Sequence, residues 1–233
     1  MTDTSHFRRK PRLLKGFDRS LARIKRVLSS RYGEEQANTL IGESRGEYKA
    51  LIPQIPHIGE KSPFLIFLLP TVRCLAVYRA LQRRGGTVEE AGELIYEMSE
   101  AEFQAIPGLA RRAIGHLWFS SWFLRRLRKR ARTSQERQYP DSFVVHYVEG
   151  YGQDFDYGID YVECANVKFL RAQGALELAP YICATDKAAS EMLGWGLHRT
   201  MTLAGGSAKC DFRFTKGGTT SVQESRTPQH VRE

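Results

Sequence analysis

A chain of 233 residues with 42% hydrophobic and 11% aromatic side chains has enough apolar material for a buried core, which excludes wholesale disorder. Four cysteines in that length exclude a disulfide-stapled scaffold and fit a reduced, cytoplasmic protein with free thiols. The formal charge of +9 raises the question of an anionic partner, and much of the excess sits in residues 8–15 and 123–137.

Residues 1–15 are expected to be a disordered basic tail. Phe17, Leu21, Ile24 and Leu28 then recur at helical spacing, with Arg and Lys between them, and Gly33 closes that helix. A second, weakly patterned helix is predicted over 34–48. Three prolines and a glycine make 51–63 an ordered connector. The apolar run 63–81 has about the length a membrane helix needs. Pro70 and Arg73 interrupt its middle, where a charge is expensive in lipid, so it is read as a buried helix closed by Gly85 and Gly86. Thr87 suits an N-cap, with Glu89 and Glu90 at the favourable end of the helix dipole. One long helix is predicted over 109–132, anchored by Ile114, Leu117, Trp118 and Leu124 and strongly basic in its last turns.

The texture changes at Pro140. Residues 143–150 are rich in β-branched and aromatic side chains and read as a strand, and 155–162 as a second. A short helix over 163–173 stops at Gly174, and another starts at Pro180 and stops at Gly194. Residues 198–203 and 209–214, separated by the AGGSA segment, carry a hairpin signature. The fold class is therefore α+β: a helical region (16–138) packed on a small mixed α/β region (139–217) with a cysteine-containing hairpin. A disordered tail is expected over 218–233.

Sulfur, carboxylate and imidazole concentrate between residues 160 and 214. Strand alternation puts Cys210, Phe212 and Phe214 on one face, and Asp211 and Arg213 on the other. Cys183, Asp186 and Lys187 share one helical face. Cys164 sits at a strand-to-helix turn, where a helix dipole favours a thiolate. Each feature also has a plainer reading. Free cysteine packs as a small hydrophobe, Glu163 suits a helix start, Asp211 and Arg213 can form a weak surface pair, and His198 is a lone histidine opening a strand. No CxxC or HxxxH pair marks a metal site. Cys164, Cys183 and Cys210, with Asp186 or His198, are the donors a divalent metal would have, and no cofactor is expected. The basic run 125–132 lacks the interleaved aromatics and motifs of nucleic-acid binders and reads as a solvated helix end or docking surface. Neither nucleic acid nor membrane is expected as a partner. A homo-oligomer is left open.

Residues 160–174, 177–186 and 196–214 hold E-C, P-Y-x-C-x-x-D and R-T-x-T-L-A-x-G-x-x-x-C-D-F-R-F in that order. These segments resemble the L-2-amino-thiazoline-4-carboxylic acid hydrolase family. Residues 55–59, 78–85 and 87–98 extend the resemblance over about 51–217. It implies hydrolysis of a cyclic amidine carbon: water adds to C2 of a thiazoline ring, the C–S bond breaks, and an N-carbamoyl cysteine results. The family's motif positions fall on Glu163, Cys164, Tyr181, Cys183, Asp186, Arg199, Cys210, Asp211 and Arg213. The expected assignment makes Cys164 or Cys183 the nucleophile or ligand, with Asp186 or Glu163 moving the proton and Cys210 and Asp211 completing the catalytic group. Arg199 is the expected clamp for the substrate carboxylate, with Tyr181, His198 and Arg213 as further substrate contacts. A three-cysteine metal site generating hydroxide is the competing mechanism. The alternatives are a same-fold enzyme for another sulfur or nitrogen heterocycle, and a noncatalytic ligand- or metal-binding module.

Overall fold

The computed structural model describes residues 5–60, 62–151 and 154–223, with side chains from Lys10 onward. Among the described residues, six α-helices precede the first strand: α1 (Ser5–Tyr32), α2 (Glu34–Leu51), α3 (Leu65–Gln82), α4 (Val88–Gln104), α5 (Gly108–Trp118) and α6 (Ser121–Ser134). Then come β1 (Val144–Glu149), β2 (Tyr157–Glu163), α7 (Ala165–Ala172), α8 (Ala179–Leu193), β3 (Leu197–Arg199), β4 (Cys210–Phe214) and β5 (Ser221–Val222). The strands form one mixed sheet in the order β1-β2-β4-β3-β5. Its pairs are antiparallel except β3 with β5, which is parallel. The protein is α+β, with Cys210 on a strand as expected.

The apolar stripe of α1 explains its length. Phe17, Leu21, Ile24 and Leu28 are buried, and Leu13 and Leu14 carry the same stripe one turn further back onto the core. From Ser5 onward the expected disordered tail is therefore helix; residues 1–4 lie outside the described residues. On α2, Ala37, Leu40, Ser44, Tyr48 and Leu51 fill one face. α3 is apolar nearly all round and long enough to cross a membrane by length and composition, yet half of it is buried inside the protein. Its Arg79 reaches out to the carbonyl and side-chain oxygens of Gln173, both at 3.0 Å, tying the end of α3 to the end of α7. Buried residues from Phe17 to Phe214 make one continuous cluster, so the helical and the α+β regions share a core.

Two boundaries differ from expectation. The single helix expected over 109–132 is two helices. Ser120 is extended and caps α6, its hydroxyl accepting from the Phe123 N–H at 3.2 Å. The break lets Trp118 turn inward between Trp195 and Phe123, with ring centroids 4.4 and 4.5 Å away. α6 can then lie along β1, where the Val145 N–H donates to the Ser134 hydroxyl at 3.0 Å. A continuous helix could not satisfy both packings. The second difference is β5, which orders part of the expected C-terminal tail. The Gln223 N–H donates to the Arg199 carbonyl at 2.8 Å, and the Thr220 hydroxyl meets that of Ser190 at 2.7 Å. Residues 224–233 lie outside the described residues.

Candidate active site

Side chains from β2, the start of α7, α8, β3 and β4 gather in one region. β2 delivers Tyr161, and a single residue separates its end from α7. Cys164 takes the N-cap position there, its thiol facing the amides of Asn166 and Val167 without closing a cap hydrogen bond. α8 presents Cys183 and Asp186 on the face turned away from α4. On the α4 side, Tyr181 packs so closely on Gly92 that a Cβ there would lie 2.0 Å from the ring. Register pairs Cys210 of β4 with Tyr161 of β2, and the Cys210 sulfur accepts from the Leu203 N–H at 3.2 Å. β3 contributes Arg199.

Arg199 is the fixed point of the group. Its side chain is 0% exposed, and Nη1 binds the Asp186 carboxylate. Nη2 donates to the Cys183 carbonyl at 3.2 Å, and the guanidinium lies over the Phe212 ring, 5.2 Å from its centroid. The expected clamp for a substrate carboxylate is thus turned inward onto Asp186. A guanidinium here offsets the carboxylate charge in a region where an isolated charge would be costly.

The electrostatics place the sulfurs around Asp186. Burial pushes the Cys164 thiol up to about 11, against the opposing pull of the Val167 and Asn166 amides. Burial raises Cys183 well above its ordinary value, with Arg199 opposing and with Asp186, Cys164 and Cys210 adding to the rise. Cys210 is pushed to about 12, again by burial first, and it too feels Cys164, Arg199 and Asp186. Tyr161 is raised by burial and then by Asp186, Cys164 and Cys210. Burial also raises Asp186, and Arg199 is what opposes the rise. Yet the Asp186 side chain keeps 37% of its accessible surface, and Cys164 and Cys183 are only partly covered. Protein thus surrounds these groups while part of Asp186, Cys164 and Cys183 stays open at the surface, and that partly covered spot is the recess.

The other expected site residues lie elsewhere. Glu163 is held by Arg137 at 2.8 Å and by Lys168. Those two cations keep its carboxyl below the usual range, and Lys168 also donates to the Ser142 carbonyl at 3.4 Å. Glu163 therefore fastens α7 to the entry of β1. Asp211 ties down the 200–209 loop, accepting from the Thr200 N–H at 2.9 Å, the Thr200 hydroxyl at 2.6 Å and the Met201 N–H at 2.8 Å. Arg213 is on the opposite sheet face, with Asp160 at 2.8 Å and the Phe155 ring below it. His198 is exposed on β3, and Tyr181 belongs to the α4–α8 interface. Phe212, expected on the Cys210 face only as a core residue, carries the Arg199 guanidinium, and Tyr161 was not expected at the site at all. The period-two alternation of β2 was the signal for Tyr161.

Among the described residues, no group of three His, Cys, Asp or Glu side chains is arranged to hold a metal ion. Cys164, Cys183 and Cys210, the donors expected for the competing metal site, are not in such a group. A groove of about 460 Å³ between α1 and α2, lined by Lys10, Pro11, Leu14, Lys15, Asp18 and Arg45, shares no element with the cysteine group and holds no thiol.

A family model described as L-2-amino-thiazoline-4-carboxylic acid hydrolase matches residues 69–214. The chain belongs to that family. The matched span begins within α3 and ends with the last residue of β4, so it takes in every residue of the recess. No curated protein and no solved structure matches the chain. The family is named for a hydrolase, and the arrangement of thiol, carboxylate and guanidinium is compatible with acid–base and nucleophilic chemistry on a small molecule.

Proposed function

We propose that this member of the L-2-amino-thiazoline-4-carboxylic acid hydrolase family is a small-molecule hydrolase that opens a cyclic amidine such as the thiazoline ring. The reading is supported by Cys164 at the N-cap of α7, within electrostatic reach of Asp186. Asp186 takes the Cys164 proton, and the thiolate adds to C2 of the ring. The ring C–S bond breaks, and the proton on Asp186 passes to the departing sulfur. This leaves the substrate joined to Cys164 through an isothiourea carbon. Water then adds to that carbon, and the Cys164 sulfur leaves and regains a proton, giving N-carbamoyl cysteine. The net change is addition of one water. Arg199 acts on the reaction through Asp186, holding the carboxylate in place and offsetting its charge as an anionic substrate enters. Four free thiols support a reducing, cytoplasmic setting.

A second route has its own support. Burial keeps all three recess thiols largely protonated while placing Asp186 nearer the range of a general base. Asp186 would then activate water directly, with the thiols as walls. The test is incubation with L-2-amino-thiazoline-4-carboxylic acid, with mass spectrometry of the product and of acid-quenched intact protein. Product heavier by one water, a protein adduct of one substrate mass, and loss of both in Cys164→Ser support the covalent route. Turnover that survives Cys164→Ser but not Asp186→Asn supports activated water. No turnover by the wild-type protein refutes the named substrate.

A further inference from the structure

We propose that the outward face of α5 and α6 is a docking surface for an anionic lipid membrane. Residues 103–135 contain eight Arg or Lys and no Asp or Glu, so most of the chain's excess charge belongs to these two helices. The fold leaves that charge outside. Arg125, Arg126 and Lys129 share the exposed face of α6 with Trp122, and Arg112 shares that of α5 with Leu109 and Leu117. Among the described residues of this stretch, only Arg128 meets a carboxylate, that of Glu149 at 2.8 Å. The inner face is fully engaged: Ala131 is buried, Arg128 lies over the Tyr147 ring, and Trp118 stacks on Trp195. Burial and then the nearby Arg126 lower Arg130, so the cations already crowd one another and gain by meeting anions.

The apolar members decide which anion. Leu109 is 80% exposed, Trp122 51% and Leu117 49%. Three of the six exposed large hydrophobics of the described residues thus lie on these two consecutive basic helices. The Arg126 guanidinium sits 5.0 Å from the Trp122 ring centroid. Projecting leucines have no counterpart on a phosphate backbone, whereas a bilayer interface takes Leu and Trp into the acyl boundary and cations among anionic headgroups. A second copy of the chain is disfavoured, since a two-fold contact would bring this cationic face against itself. This departs from the expectation of no membrane partner, because the sequence alone does not show that Leu109, Leu117 and Trp122 stay outside beside the charges.

The test uses the full chain in co-sedimentation with phosphatidylcholine vesicles, with and without phosphatidylserine. Binding to the phosphatidylserine vesicles alone, weakened by salt and accompanied by a blue shift of tryptophan emission, is the expected result. Trp122→Ser should abolish the shift and weaken binding, and Arg125→Glu with Arg126→Glu should weaken binding at least about tenfold. These side chains are exposed, so circular dichroism should be unchanged in both variants. Equal binding to both vesicles, or none to either, overturns the proposal. So does tighter binding to random duplex DNA that Trp122→Ser leaves unaltered, or self-association that Trp122→Ser abolishes.

Discussion

Replacing Arg199 by Met should destabilise the protein most at neutral pH and less in acid. The guanidinium has no exposed surface and binds Asp186, the Cys183 carbonyl at 3.2 Å and the Phe212 face. Removing one partner of a buried pair costs about 3–5 kcal/mol because the other charge is left behind. Asp186 retains access to water at 37% of its side-chain surface, which screens that loss, so about 3 kcal/mol is the expected cost. For a chain of this size that lowers Tm by roughly 6–12 °C. The sign with pH follows from Asp186, whose folded carboxyl lies above its unfolded value of 3.8. Between the two values the native state binds more protons, so stability falls as pH rises through that window and returns below it. Arg199 is the group that opposes the rise, so its loss lifts the folded value and widens the window. The assay is thermal unfolding followed by circular dichroism, at neutral pH and at about pH 5, for Arg199→Met, Asp186→Asn and the double variant. The double variant should lose less than the sum of the two singles. An unchanged Tm in Arg199→Met, or a deficit that grows in acid, would refute the assignment of Arg199 as the buried partner of Asp186.

Gly92→Ala places a Cβ 2.0 Å from the Tyr181 ring, and the separation forced on α4 and α8 should cost about 1–3 kcal/mol in a chemical denaturation curve; wild-type stability would mean the helices have slack. For Asp211, burial pulls the carboxyl upward, but the Thr200 hydroxyl and the amides of Met201 and Thr200 outweigh it and hold it below the usual range. Its stabilisation is therefore present above the unfolded carboxylate value and lost as pH falls through the lower folded one. Asp211→Ala should accordingly flatten the acid limb of stability and speed amide exchange of Thr200 and Met201, whereas unchanged exchange would separate Asp211 from the loop. With its thiol at about 11, Cys164 should react with iodoacetamide near pH 7 about two orders of magnitude more slowly than a free cysteine. Labelling at the free-cysteine rate would show that the start of α7 outweighs burial.

The elements were largely legible because their cause is local. The helical stripe from Phe17 to Leu28, Thr87 as a cap, the stops at Gly174 and Gly194, and the inward alternation of Cys210 and Phe214 all follow from backbone preference and periodic burial. The break at Ser120 was not, since 109–132 has an unbroken helical texture and its interruption depends on Trp118 finding Trp195 far along the chain. β5 was hidden for the same reason: a two-residue strand in polar sequence exists only where β3 offers it an edge.

Within the site, the family motif and the clustering of Cys164, Cys183, Asp186 and Arg199 could be read from the order of residues. Their roles could not. Glu163 and Asp186 are equally acidic in the sequence, but Lys168 and Arg137 hold the first in a structural tie, while α8 carries the second into the recess beside three thiols. Arg199 and Arg213 likewise differ only in the sheet face they occupy. The sequence by itself determined which side chains were present, which faces they shared and which family the chain resembles, because those properties depend on neighbours within a turn or a strand. Tertiary packing alone decided which charges were desolvated and which were paired, since ionisation answers to groups brought close by the fold, whatever their separation along the chain.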